Sequence, residues 1–237
     1  MKKKIGITST IPIEIIYAAD MIPVDLNNIF ITHEDPGRFL MTARKDGFPE
    51  TCCSWISGIY GIVKESGIET VVGVVGGDCS ETIALMEVLS MKGIEVLSFA
   101  YPHSKLKHLI KEELLRFAQS LDVNIRYAEE EKIKLDSIRQ RIHHLDDLLW
   151  RENKAYGEEV HLFQLASSDF DGDPKKFKER INNKITEIEK RKPIDTDLRL
   201  GYVGVPPIIS DLYSFIEKDN VRIVYNEVQR QFSLPVL

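Results

Sequence analysis

The stretch Thr70-Val71-Val72-Gly73-Val74-Val75-Gly76-Gly77-Asp78-Cys79-Ser80 decides the reading of the fold. Its apolar first half reads as a buried strand. Gly76-Gly77 then turns the chain, and Cys79 opens a helix. A thiol at that position lies in the positive field of a helix N-terminus, which favours thiolate, the form that binds iron or zinc. The paired glycines remove side-chain bulk, so a large group has room to approach the backbone. Upstream, Glu50-Thr51-Cys52-Cys53-Ser54-Trp55-Ile56-Ser57-Gly58 holds the other two of the chain's three cysteines. The combination points to an inorganic cofactor rather than a disulfide.

Working outward, strand and helix patterns alternate. Residues 5–10 read as a strand or extended lead. Residues 12–21 read as a helix with proline near its start and Ile15, Ile16 and Ala19 on one face. Residues 23–31 read as a returning strand, and Asp35-Pro36-Gly37 as a turn. A helix over 53–64, the strand at 68–76, a helix over 80–92 ended by Gly93, and a strand over 94–101 follow. Strand–helix alternation with short connections predicts a parallel α/β sheet.

After His103 the pattern becomes helical. Helices are expected over 106–118, 129–151 and 174–192, the last capped by Asp173. Within 129–151, Leu135, Ile138, Ile142, Leu145 and Leu149 recur at three- and four-residue spacing and form a helical stripe, which packs on its own domain or offers an interface to a partner helix. From Leu198 the α/β pattern resumes, with a strand over 200–205, a helix over 208–217 and a strand over 221–226. The chain is therefore read as a first α/β domain carrying the cysteines (1–102), a helical segment (103–197) and the start of a second α/β domain (198–237). One β–α–β unit cannot cover both faces of a parallel sheet, so the second domain reads as incomplete. No internal repeat is legible.

Composition narrows the function. The chain has 237 residues and a net charge of −6, which gives no electrostatic case for nucleic acid. Three cysteines do not make a secreted disulfide framework. Met1-Lys2-Lys3-Lys4 mimics the start of a signal peptide, but Pro12, Glu14 and Asp20 interrupt the apolar stretch. No uncharged run approaches the ~18–20 residues of a membrane helix. A soluble cytoplasmic protein is expected.

Three roles are open to the cysteines: small buried hydrophobes, ligands of an iron–sulfur cluster or zinc, and redox or nucleophilic thiols. No C-x-x-C spacing is present, so the common zinc and ferredoxin patterns are absent. Cys52 and Cys53 point in different directions in regular structure, so one of them faces a site. Asp169-Phe170-Asp171-Gly172-Asp173 departs from a calcium loop, because Arg180 stands where the twelfth-position glutamate belongs. It reads as a loop and helix cap. His143-His144 reads as solvated. Glu14 is placed early in a helix, where the dipole stabilises a carboxylate.

Four segments, in order, resemble the 2-hydroxyacyl-CoA dehydratase family. Pro12-Ile13-Glu14-Ile15-Ile16-Tyr17-Ala18-Ala19-Asp20-Met21-Ile22-Pro23-Val24 resembles its opening motif, with Asp20 where that motif has glycine. Cys53-Ser54-Trp55-Ile56 resembles the segment of the first cluster cysteine, and Gly77-Asp78-Cys79-Ser80 that of the second. Tyr225-Asn226-Glu227-Val228-Gln229-Arg230-Gln231-Phe232 resembles a segment of the second domain.

The resemblance implies flavodoxin-like α/β domains with helical additions. It also implies an anaerobic lyase subunit that works with a second subunit, or as a homodimer, and with an ATP-dependent activator. In such enzymes a [4Fe–4S] cluster passes one electron to an acyl-CoA thioester, and water leaves by radical elimination. Related members carry a double-cubane [8Fe–9S] cluster and reduce small molecules. Cys53 and Cys79 would ligate the cluster, with Cys52 as a substitute. The family's third cysteine lies in the C-terminal half of the second domain, beyond the end of this chain. The resemblance therefore also admits a truncated member, a fragment, or a non-catalytic paralogue, and a truncated chain is expected to bind its cluster poorly.

Overall fold

The computed structural model describes residues 2–207, 209 and 211–234, and the chain divides into two compact units, Met1–Lys132 and Ile133–Leu237. The first unit is built on β1 (Lys4–Ile7), β2 (Ile22–Asp25), β3 (Thr70–Gly76) and β4 (Glu95–Ala100), ordered β2-β1-β3-β4. Every pairing is parallel. The expected α/β, flavodoxin-like sheet is thus the fold the chain adopts. Ile5, Ile7, Val71, Val72, Val74 and Phe99 are fully buried within it.

Parallel strands need crossover connections. Here they are α1 (Ile13–Ala18), then α2 (Leu26–Thr32), α3 (Gly37–Lys45) and α4 (Ser54–Ser66) between β2 and β3, and α5 (Glu81–Met91) between β3 and β4. Gly67 and Gly93 follow α4 and α5 with φ of +68° and +82°, the left-handed conformation that glycine adopts freely.

One local reading changes and two details are added. The strand expected over 23–31 stops at Asp25, whose carboxylate accepts the Asn27 amide at 2.9 Å and caps α2. Its apolar residues Leu26, Ile29 and Phe30 suit either period, and the cap decides for the helix. Next, α3 follows the turn at Asp35-Pro36-Gly37 and packs so closely on α4 that a Cβ on Gly61 would collide with the Phe39 backbone. Finally, Asp20 has φ +59°, so it keeps the backbone conformation suited to the glycine of the motif it departs from. Its carboxylate meets Lys2 Nζ at 2.7 Å.

The boundary between the units falls inside α7 (Ile125–Trp150). The stretch 103–197 supplies α6 (Lys107–Ser120) to the first unit, and α8 (Gly157–Leu165) and α9 (Pro174–Glu189) to the second. The α7 stripe Leu135, Ile138, Ile142, Leu145 and Leu149 is buried, as are Phe177, Ile181, Ile185 and Ile188 of α9. The Asp173 side chain accepts the Lys176 amide at 3.1 Å and caps α9. Arg141 Nε donates to Asn182 Oδ1 at 2.8 Å between α7 and α9. His144 Nε2 lies 2.9 Å from Glu189 Oε1, so it is half-exposed and engaged with α9 rather than merely solvated.

The second unit also holds a parallel pair, β5 (Leu198–Tyr202) and β6 (Val221–Asn226), with α10 (Leu212–Ile216) between them and α11 (Glu227–Ser233) after them. The helix expected over 208–217 is described from Leu212. Residues 208 and 210, and the apolar end at 235–237, lie outside the described residues. A repeat invisible in the sequence emerges here. β5–α10–β6–α11 has the element order and parallel pairing of β1–α1–β2–α2, including a helix that starts directly after the second strand.

Two titrating groups are buried in this second unit. His161 stacks on Tyr213, and its Nδ1 lies 3.1 Å from Gln229 Nε2. Burial pushes its pKa down to about 4. Burial pushes the Asp146 carboxyl up to about 6, against the pull of Arg230 at 2.9 Å and of Gln164. The signs oppose. A depressed histidine contributes stability that is full above its unfolded pKa and is lost as pH falls toward 4. A raised carboxylate contributes stability that is full below its unfolded pKa and is lost as pH rises through 6. Each contribution is about 3 kcal/mol, so the two nearly cancel between pH 4 and 6. Asp146→Asn is expected to lose more stability than the parent on going from pH 6.5 to 4, and His161→Gln to lose less. Denaturant unfolding at several pH values checks this, and parallel pH curves for all three chains would refute it.

Candidate thiol site at the sheet edge

In a doubly wound sheet, ligands gather at the carboxyl ends of the strands, at the point where the strand order reverses. The order β2-β1-β3-β4 places that point between β1 and β3. The segment after β1 (Thr8 to Pro12), the turn after β3 (Gly77 to Ser80) and Tyr101 after β4 all leave the sheet at this edge. α4 leads back to the start of β3, so its N-terminus begins at the same edge. The topology therefore brings Cys53, the N-cap of α4, and Cys79, two residues beyond Gly77, to one side of the sheet.

All three cysteines are free. Cys53 and Cys79 are exposed, while Cys52 is half-buried and packs with Phe48 and Trp55 against the core formed by α4 and its neighbours. The Cys53 carbonyl accepts the Ser57 amide at 3.0 Å and opens the ladder of α4. The Cys79 carbonyl accepts the Thr82 amide at 3.2 Å, in the turn that leads through the N-cap Ser80 into α5.

The paired glycines serve a different purpose from the one the sequence suggests. Gly77 has φ +79°, and a Cβ there would lie 2.7 Å from Tyr101 Cβ. A Cβ on Gly76 would lie 3.1 Å from Ala100 Cβ. The space that glycine vacates is thus filled by the end of β4, which packs against the turn. The Tyr101 amide donates to the Gly76 carbonyl at 2.9 Å, and its hydroxyl donates to the Thr10 carbonyl at 2.8 Å. Tyr101 also meets Phe99 edge-on, with ring centroids 5.1 Å apart.

Sequence reasoning passed over Tyr101. Burial, and then the negative charges of Asp78 and Glu14, push its hydroxyl up to about 12. Like any phenol it is a protonated donor at neutral pH, and here one carboxylate from the turn after β3 and one from the first turn of α1 lie nearby. The available signal was its place at the end of a strand, immediately before Pro102.

A second set of bonds reaches from α4 into the sheet. Trp55 Nε1 donates to Asn27 Oδ1 at 2.5 Å. Asn27 Nδ2 donates to the Thr8 carbonyl and to Asp25 Oδ1, each at 2.9 Å. The Val74 amide donates to Thr8 Oγ1 at 3.1 Å.

The chemistry of this edge is that of two accessible soft donors beside carboxylates and a phenol. Thiolates are the usual ligands of iron–sulfur clusters, which take four. The donor type therefore fits such a group, and Cys53 and Cys79 would be two of its ligands. Among the described residues, no group of three or more His, Cys, Asp or Glu side chains is arranged to hold a metal ion. Among the same residues, no helix is long and apolar enough to cross a membrane. With a chromogenic disulfide reagent on the native chain, two thiols should react quickly and one slowly, with Cys52→Ala removing the slow phase. Loss of a fast phase in Cys52→Ala would contradict the burial pattern.

A comparison with curated proteins finds no match. The family model described as 2-hydroxyglutaryl-CoA dehydratase, D-component, matches residues 8–237, which takes in both units and all three cysteines. On that match the chain belongs to the 2-hydroxyglutaryl-CoA dehydratase D-component family.

Proposed function

We propose that this chain is a subunit of an iron–sulfur 2-hydroxyacyl-CoA dehydratase-like enzyme in which Cys53 and Cys79 ligate a [4Fe–4S] cluster. The observation that supports this reading is the placement of two exposed cysteines on segments at the carboxyl edge of the sheet, in a chain of a dehydratase family. When bound, the cluster supplies single-electron transfer to an acyl-CoA thioester, so that water leaves by radical elimination.

The chain's own residues supply the rest. The N-cap of α4 and the turn before α5 carry the two thiols. Tyr101, protonated and bonded to Thr10, ties the segment after β1 to the turn that carries Cys79. Glu14 and Asp78 set an acidic field around that phenol. A second subunit, or a second copy, partners the chain, and an ATP-dependent activator delivers the electron in the cytoplasm.

A non-catalytic role is the second reading, favoured by the lack of a third ligand near the two thiols among the described residues. Anaerobic reconstitution with iron and sulfide separates the two. The first reading expects about four irons per chain and a cluster EPR signal, both lost in Cys53→Ala and in Cys79→Ala. About twice that iron in a homodimer would favour a double-cubane reductase. Iron near zero in every sample, with and without a partner subunit, would favour the non-catalytic role.

A further inference from the structure

The two thiols sit on different elements, one on the helix that enters β3 and one on the turn that leaves it. The backbone bonds that their own carbonyls accept are local, from the Ser57 amide to Cys53 and from the Thr82 amide to Cys79. A chain of side-chain bonds runs beneath them. Cys53 is two residues from Trp55, whose indole N–H donates to Asn27 Oδ1 at 2.5 Å. Asn27, held at the start of α2 by Asp25, donates in turn to the Thr8 carbonyl at 2.9 Å. Thr8 is buried, and its hydroxyl accepts the Val74 amide at 3.1 Å. Five residues beyond Val74 lies Cys79.

We infer that Trp55, Asn27 and Thr8 are positioning residues: a hydrogen-bonded strap from α4 through α2 and the end of β1 to β3 sets the placement of Cys53 relative to Cys79. The inference rests on the proposed reading of these two thiols as a ligand pair. Its geometry favours a strap over incidental bonding. Asn27 uses its amide oxygen and nitrogen in opposite directions, toward α4 and toward the sheet, so rotating it breaks both contacts at once. The Thr8 hydroxyl crosses between β1 and β3 at the reversal point, where their described pairing stops at Ile7 and Val72. Trp55 is fixed edge-on against Phe30, with centroids 5.4 Å apart, so its N–H has little freedom to find another acceptor. Partners of this kind, one step removed from the ligands, orient ligating side chains and tune affinity.

The test uses the full chain with Cys52→Ala and compares Thr8→Val, which keeps shape but loses the hydroxyl, with Thr8→Ser, which keeps the hydroxyl. Trp55→Phe, which keeps an aromatic ring but loses the N–H, is the second variant and serves if Thr8→Val fails to fold. Nitroxide labels on Cys53 and Cys79 report their placement without any metal. The distance distribution is expected to stay as narrow as the parent's in Thr8→Ser and to broaden in Thr8→Val and Trp55→Phe. Cadmium(II) added to the unlabelled chains reads the thiols as a pair through the sulfur-to-metal absorption band. Affinity is expected to fall about 10–100-fold in the two broadened variants and to be restored in Thr8→Ser. Distributions of unchanged width in Thr8→Val and Trp55→Phe overturn the strap whatever the metal does. Broadened distributions, with cadmium binding that ignores Cys53→Ala or Cys79→Ala, leave the strap standing and remove the ligand-pair reading instead.

Discussion

The pairing of β1 with β2 on one side and β3 on the other is the constraint on which the cysteine site depends. Both pairings are parallel, and β1 is the strand from which the chain winds out in two directions. Parallel pairing forbids tight hairpins, so each return passes through helices, and each helix that runs back over the sheet starts at the carboxyl edge. Two cysteines separated by a thirteen-residue helix and a strand thereby reach one edge. The register also fixes the depth of that edge. Gly6 faces Val71 and Ile7 faces Val72, and the Thr8 hydroxyl then takes over from the backbone ladder at Val74.

Around that edge the chain uses close approach where the sequence suggests openness. Gly76 and Gly77 admit Ala100 and Tyr101 against the turn. Gly73 does the same for Met86, because a Cβ there would collide with its side chain. Tyr101 then links the ends of β1, β3 and β4 through its amide, its hydroxyl and its ring. Cys53 and Cys79 are exposed, while the adjacent Cys52 packs against the core beside Trp55.

Much of this was legible in the residues, and the rest was not for definite reasons. The Val71-Val72 and Val74-Val75 pairs gave the central strand, and the glycine after α5 and the aspartate before α9 marked helix ends through local backbone chemistry. The stripe from Leu135 to Leu149 is periodic enough to read without tertiary context. By contrast, Leu26 to Ile31 fits strand and helix periods alike, and only the capping bond from Asp25 decides between them. α8 is short and mixes buried His161 and Gln164 with apolar residues, so its pattern is masked by side chains whose partners lie far along the chain. The role of Gly77 and the Trp55–Asn27–Thr8 bonds depend on contacts across 20 to 66 positions of sequence, roughly, and periodicity carries no trace of such pairings. The repeat of strand, short helix, strand and helix in the second unit is topological, and its residues share too little to announce it.

The central claim is that the sheet's reversal point holds Cys53 and Cys79 as a pair. The most direct measurement is bridging of the two thiols by dibromobimane, which fluoresces only when both of its arms have reacted. It would be run on the native apo chain with Cys52→Ala, with peptide mapping of the product. The account expects a bridged, fluorescent product joining the peptides of Cys53 and Cys79, absent when either is replaced by alanine. A chain labelled at each thiol separately, without a bridge, would contradict it.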